Sequence, residues 1–154
     1  MSDPVALGQE VAMANGSAVR IAQVQSGRNA EIVESAYDAL NLGDIATLKK
    51  LFHEHASWHT PGLSAIAGSR KGRDAVCAQF RCYGGETGGT FRANLLNVLE
   101  SEDGRVVSVH HNSAERPGRQ LDVLCCIVFE LENSRIMIGR EHFYDLYAWD
   151  MFWS

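Results

Sequence analysis

Apolar residues recur at helical spacing in three stretches and at alternate positions in four later ones. Ile32, Val33, Ala36, Tyr37 and Leu40 fall on one face of a helix that Asn41-Leu42-Gly43 stops. Asp44 is a good N-cap for a second helix, with Ile45, Leu48, Leu51 and Phe52 as its apolar stripe. A third helix starts near Gly72-Arg73-Asp74, carries Ala75, Val76, Gln79, Phe80 and Tyr83 on one side, and ends at Gly84-Gly85. From Thr90 onward the period is two. Strands are predicted over 90–101, 105–116, 120–132 and 135–147, parted by Glu102-Asp103-Gly104, Pro117-Gly118 and Asn133-Ser134. Residues 1–27 are small, polar and weakly periodic, an extension partly helical at 5–14 ahead of a single domain at 28–154. Helices followed by a meander of long antiparallel strands predict an α+β fold, with helices packed on one face of a curved sheet.

One strand adds to this. Between Leu121 and Leu131 both parities are apolar, with Val123, Cys125, Ile127 and Phe129 on one side and Leu124, Cys126 and Val128 on the other. A sheet with one wet face alternates cleanly, so this one is predicted to be covered on both. Helices cover the first face. The simplest cover for the outer face is a second copy of the chain, which predicts a homodimer.

Composition and charge narrow the function classes. The chain's 154 residues suffice for one domain, and its net charge of −5 comes with one short basic cluster, Ser69-Arg70-Lys71-Gly72-Arg73, at a helix start. Nucleic-acid binding needs several cations on one surface, so no nucleic-acid partner is expected. No apolar run is long enough to span a membrane, and the N-terminus lacks the basic-then-apolar layout of a leader. A cytoplasmic protein without a membrane partner is expected. The cysteines, Cys77, Cys82, Cys125 and Cys126, include no C-x-x-C pair and read as free buried thiols.

The stretch HEHASWHTPG at 53–62 carries three histidines. On a helix His55 and His59 would share a face; on a strand they lie about 13 Å apart, too far for one metal. Pro61 forces Thr60 extended, so the strand reading holds, with His53 ending the second helix, and no metal is expected.

Several phrases in order carry a resemblance: A-L-N-L-G-D at 39–44, W-H-T-P-G-L-S-A-I-A-G at 58–68, G-R-D-A-V at 72–76 and D-L-Y-A-W-D-M-F-W at 145–153. Over residues 29–153 the chain resembles the SnoaL-like branch of the nuclear transport factor 2-like superfamily, which includes steroid delta-isomerases, scytalone dehydratase, limonene epoxide hydrolase and SnoaL-type polyketide cyclases. The resemblance implies a cystatin-like α+β roll. In it, a cone of three N-terminal helices packs on a strongly curved, mostly antiparallel sheet around a deep apolar pocket. The steroid-isomerase groups do not carry over. The position of the carboxylate base is Thr60, and that of the oxyanion tyrosine is Ala36, with Tyr37 about 100° further round the helix. The position of the protonated aspartate is Cys125. Proton abstraction beside a ketone needs a base and a donor to the enolate, so that mechanism is excluded in its familiar form.

If Cys125 faces the pocket, as the resemblance implies, parity turns Ser108, His110 and Asn112 inward from the preceding strand, and Gly139, Glu141 and Phe143 inward from the last. A slip of one residue would instead bring His142 in and send Glu141 out. His110, Glu141, Asn112 and Tyr37 are the candidate catalytic residues, with His110 as proton carrier oriented by Glu141. Trp58, His59, Thr60, Phe91, Cys125 and Phe143 are the candidate substrate contacts. The expected function is cofactor-independent acid–base chemistry of cyclase, isomerase, dehydratase or hydrolase type on a small apolar metabolite. The alternatives are a ligand-binding or accessory dimer with the same pocket, and a structural dimer whose pocket its own side chains fill.

Overall fold

The computed structural model describes residues 12–14, 17–19 and 27–154. In the leading segment, β1 (Ala12–Ala14) pairs antiparallel with β2 (Ser17–Val19). The helix expected over 5–14 falls mostly outside the described residues, and where it overlaps them the chain is a strand.

Helix α1 (Arg28–Leu42) ends as its sequence predicts. Gly43 takes φ 68°, and the N–H groups of Gly43 and Asp44 return to the carbonyls of Leu40 and Ala39 at 3.0 and 2.9 Å. Asp44 caps α2 (Ile45–Leu51) by accepting from the Thr47 N–H at 3.0 Å. β3 (Phe52–Thr60) follows without a loop, so His53 lies in the strand and not at the helix end. β4 (Gly68–Lys71) folds back on β3 ahead of α3 (Arg73–Glu86), which runs through Gly84-Gly85 where a stop was expected. The meander is β5 (Arg92–Glu100), β6 (Val106–Arg116), β7 (Arg119–Glu132) and β8 (Arg135–Phe143).

The fold is a mixed α+β roll with a curled six-stranded sheet, ordered β4-β3-β8-β7-β6-β5. All neighbours are antiparallel except β3 and β8, which run parallel. Two expectations need correction. The helices are not three N-terminal ones ahead of the sheet, because β3 and β4 come between α2 and α3, and a fourth helix, α4 (Leu146–Trp153), closes the chain. The last strand stops at Phe143 and does not reach Tyr147. Asp145 accepts from the Ala148 N–H at 2.9 Å and starts α4, which buries Trp149, Phe152 and Trp153.

Both ends of α1 are fastened to β5. Glu100 accepts from the Ala30 N–H at 2.8 Å, and the Asn41 side chain both donates to the Ala93 carbonyl and accepts from the Ala93 N–H, each at 2.8 Å. These ties fix the helix over the inner face of the sheet, and Tyr37 lies between them. On the outer face Leu124, Leu99 and Leu96 remain 43, 42 and 50% exposed, so a single copy of the chain leaves it open.

Candidate active site

Alternation along β6, β7 and β8 places Ser108, His110 and Asn112 on the inner face with Val123, Cys125, Ile127, Gly139 and Glu141, all buried. His142 is exposed, so the register has not slipped. Under α1 and α3 these strands enclose a small cavity of about 30 Å³. Tyr37, Trp58, Phe91, His110, Asn112 and Glu141 line it together with aliphatic and aromatic neighbours. It has room for a few water molecules at most.

Its polar groups form two networks on opposite walls. On the first wall the Tyr37 hydroxyl lies 2.7 Å from Ser108 Oγ and 2.7 Å from His110 Nδ1. Burial raises the Tyr37 pKa well above its ordinary value, so the phenol keeps its proton. Burial also lowers the His110 pKa to about 4, opposed by Asn112 from outside hydrogen-bond geometry, so the imidazole is neutral at pH 7. With Nδ1 engaged by Tyr37, Nε2 is the ring nitrogen left for a ligand. Beside it Asn112 is 1% exposed, and neither its Oδ1 nor its Nδ2 has a partner. A buried amide in that condition is costly, and a ligand or water that hydrogen-bonds to it removes the cost.

On the second wall Thr60 donates to Glu141 Oε2 at 2.5 Å, and Gln79 Nε2 donates to Thr60 Oγ1 at 2.8 Å and to the Tyr83 hydroxyl at 2.7 Å. Burial raises the Glu141 pKa to about 7; Thr60 and the nearby Trp58 indole only partly offset this. A carboxyl titrating there is poised to take or give a proton near neutral pH. The Trp58 indole lies where a side chain on Gly139 would stand, since a Cβ there would come within 2.2 Å of the ring. It also packs against Phe52, Phe80 and Phe129, which holds the wall in place.

The two walls are separate. Ile127 pairs with both Ser108 and Glu141, and Cys125 with both His110 and Phe143. One strand therefore lies between β6 and β8, and their backbones are about 10 Å apart. His110 is accordingly oriented by Tyr37 and not, as expected, by Glu141.

Not every expected contact reaches the cavity. Thr60 acts on it through Glu141. His59 is exposed and bonds Ser69 Oγ at 3.0 Å, because inward Trp58 and Thr60 send it to the other face of the strand. Cys125 shares the inner face without lining the cavity, and burial raises its thiol pKa, so it is no nucleophile. Phe143 stacks on Trp149 with ring centroids 4.1 Å apart, on the α4 side. Among the described residues no cluster of His, Cys, Asp or Glu has the makings of a metal site. Gln79 and Tyr83 were read as packing residues of α3; a glutamine within an otherwise apolar stripe was the available signal.

The family model of the SnoaL-like domain matches residues 33–138. The chain belongs to the SnoaL-like family. The uncharacterized protein Rv0034 from Mycobacterium tuberculosis is 31% identical over 124 residues, covering 80% of this chain and 95% of its own. The solved structure of Bal32a, from a soil-derived mobile gene cassette, is 64% identical, with a TM-score of 0.81 over 82% of this chain and 97% of that one. At the level of fold alone, the chain also matches an LEH-like epoxide hydrolase of M. tuberculosis, with 20% identity, TM-score 0.65, and 80% and 90% of the two chains covered. A putative polyketide cyclase of Sinorhizobium meliloti matches at 18% identity and TM-score 0.60, over 73% and 94%.

Proposed function

We propose that this SnoaL-like protein is a cofactor-independent enzyme that moves a proton beside the carbonyl of a small, largely apolar metabolite. The observation that carries this reading is the pairing, across one apolar cavity, of a carboxyl titrating near neutrality with an unpartnered amide. In the proposed step ionised Glu141 takes a proton from the carbon next to the carbonyl, and the electron pair moves onto the carbonyl oxygen. Asn112 Nδ2–H donates to that oxygen. His110 Nε2–H joins it when Ser108 donates to Tyr37 and Tyr37 to Nδ1. A neutral imidazole donor of this kind stabilises an enolate without adding charge. Protonated Glu141 then returns the proton to another carbon or to a departing hydroxyl, as isomerisation or dehydration requires. A cyclase would instead direct the enolate carbon onto a second carbonyl of the same substrate.

The fold's occurrence in proteins named as an epoxide hydrolase and a polyketide cyclase is consistent with small-molecule chemistry but does not choose among reactions. The steroid-isomerase arrangement is not proposed, since Thr60 here serves as a donor to Glu141. The experiment is to incubate the protein with a panel of small cyclic and linear ketones in deuterium oxide and follow deuterium uptake at the carbon beside the carbonyl. Uptake above buffer, lost in Glu141→Gln and in His110→Ala, supports the enzyme. Ketones that bind and emerge without deuterium identify a non-catalytic binding protein instead. The reading includes a homodimer, in which a second copy covers the outer sheet face.

A further inference from the structure

The inner cavity is too small for a metabolite, but a larger space adjoins it. A vestibule of about 260 Å³ opens between the C-terminal end of α1, α3 and the glycine-rich turn before β5. Leu40, Phe80 and Phe91 line both spaces and so stand between them. The vestibule's charged lining groups, among the described residues, are two arginines, Arg81 and Arg92, in a chain whose net charge is −5. Arg92 is held in place by donating from Nη1 to the carbonyls of Gly89 and Phe91 at 2.9 and 2.6 Å, which leaves its remaining N–H groups for a ligand. Arg81 is exposed and has no ion-pair or hydrogen-bond partner among the described residues. Asn41, the other polar side chain at the rim, is occupied with Ala93. Cations facing an apolar partition, with no lining carboxylate to neutralise them, form an anion-binding mouth above a greasy interior.

We propose that the substrate is an amphiphilic anion. Its carboxylate or phosphate sits between Arg81 and Arg92, while its apolar, carbonyl-bearing end passes Leu40, Phe80 and Phe91 to reach Glu141 and Asn112. This rests on the acid–base reading of the inner cavity and adds the substrate's charge and the side from which it enters. Because the inner cavity measures about 30 Å³, the ligand's apolar end enters it only as Leu40, Phe80 and Phe91 move aside.

The test uses octanoate, octyl phosphate and 1-octanol as probes, titrated into the full-length protein by calorimetry. The expected result is that at least one anion binds about ten-fold or more tightly than octanol, the advantage of a charge-assisted pair. The tighter of the two anions then identifies the head group. Arg81→Gln, alone and with Arg92→Gln, should remove that advantage while leaving octanol affinity unchanged. Arg81→Gln alone keeps the test valid should loss of the Arg92 backbone bonds unfold the turn. Equal affinity for octanol and both anions, or anion binding unaffected by Arg81→Gln, overturns the proposal. Neither result touches the deuterium-exchange test of Glu141, so the two readings fail separately.

Discussion

Replacing Glu141 with glutamine keeps the shape of the side chain and removes its titration. A carboxyl that titrates near 7 in the fold and near its ordinary 4.5 in the unfolded chain makes the folded state the tighter proton binder. Below both values the group is protonated in either state and carries no penalty. As pH rises from 4.5 through 7 the unfolded chain ionises first, so stability falls, and above 7 the loss is complete at about 3 kcal/mol. Between pH 5 and pH 8 the loss is about 2–3 kcal/mol. His110 tilts the other way: its folded pKa of about 4 lies below the ordinary 6.5, so the unfolded chain binds the extra proton and stability falls as pH drops from 6.5 through 4. The wild-type curve alone thus partly hides the Glu141 effect, and the difference between wild type and Glu141→Gln isolates it. Urea unfolding followed by tryptophan fluorescence at pH 5 and pH 8 measures that difference. The variant should gain about 2–3 kcal/mol relative to wild type on going from pH 5 to pH 8. A gap that stays constant with pH would refute the claim that this carboxyl is buried and poised.

Other substitutions test other parts of the site. Asn112→Leu removes two unpartnered buried polar atoms, so it should raise stability by about 1–2 kcal/mol in urea unfolding while abolishing deuterium exchange into a bound ketone. Tyr37→Phe strips a hydroxyl partner from both Ser108 and His110 and should cost about 1–3 kcal/mol, read from the same unfolding curves. Gly139→Ala drives a methyl into the Trp58 ring and should cost about 1–3 kcal/mol, with a changed near-ultraviolet circular dichroism spectrum. Turnover, once a substrate is found, should rise with pH through about 7 as Glu141 ionises, with no further limb from His110 above pH 4. Leu124→Lys on the outer sheet face should convert a dimer to a monomer in light scattering; an unchanged mass would argue against pairing through that face.

Strand parity was legible in the sequence because one inward residue determines the rest of its strand, and pairing carries the phase across β6, β7 and β8. That is why His110, Asn112 and Glu141 could be placed once the family resemblance had turned Cys125 inward. Hydrogen-bond partners were not legible, since they depend on how far side chains reach between elements. Glu141 looked like the natural partner of His110, yet the intervening strand β7 separates them, and Tyr37 from α1 is the nearer group. The Thr60–Gln79–Tyr83 network joins β3 to α3 across a fold whose packing no local pattern records. α4 is hidden for a local reason: alternation carries the last predicted strand to Tyr147, past Asp145, whose side chain caps a helix of two turns in the aromatic run that follows.

The account depends on Glu141 sharing the inner cavity as a carboxyl whose proton is nearly balanced at neutral pH. Carbon-13 NMR of side-chain carboxyls in glutamate-labelled protein measures this directly, with the Glu141 signal identified by its loss in Glu141→Gln. The predicted titration midpoint is about 7. A midpoint at the ordinary 4.5 would contradict the account, because the carboxyl would then be neither desolvated in the cavity nor balanced between taking a proton and returning it at neutral pH.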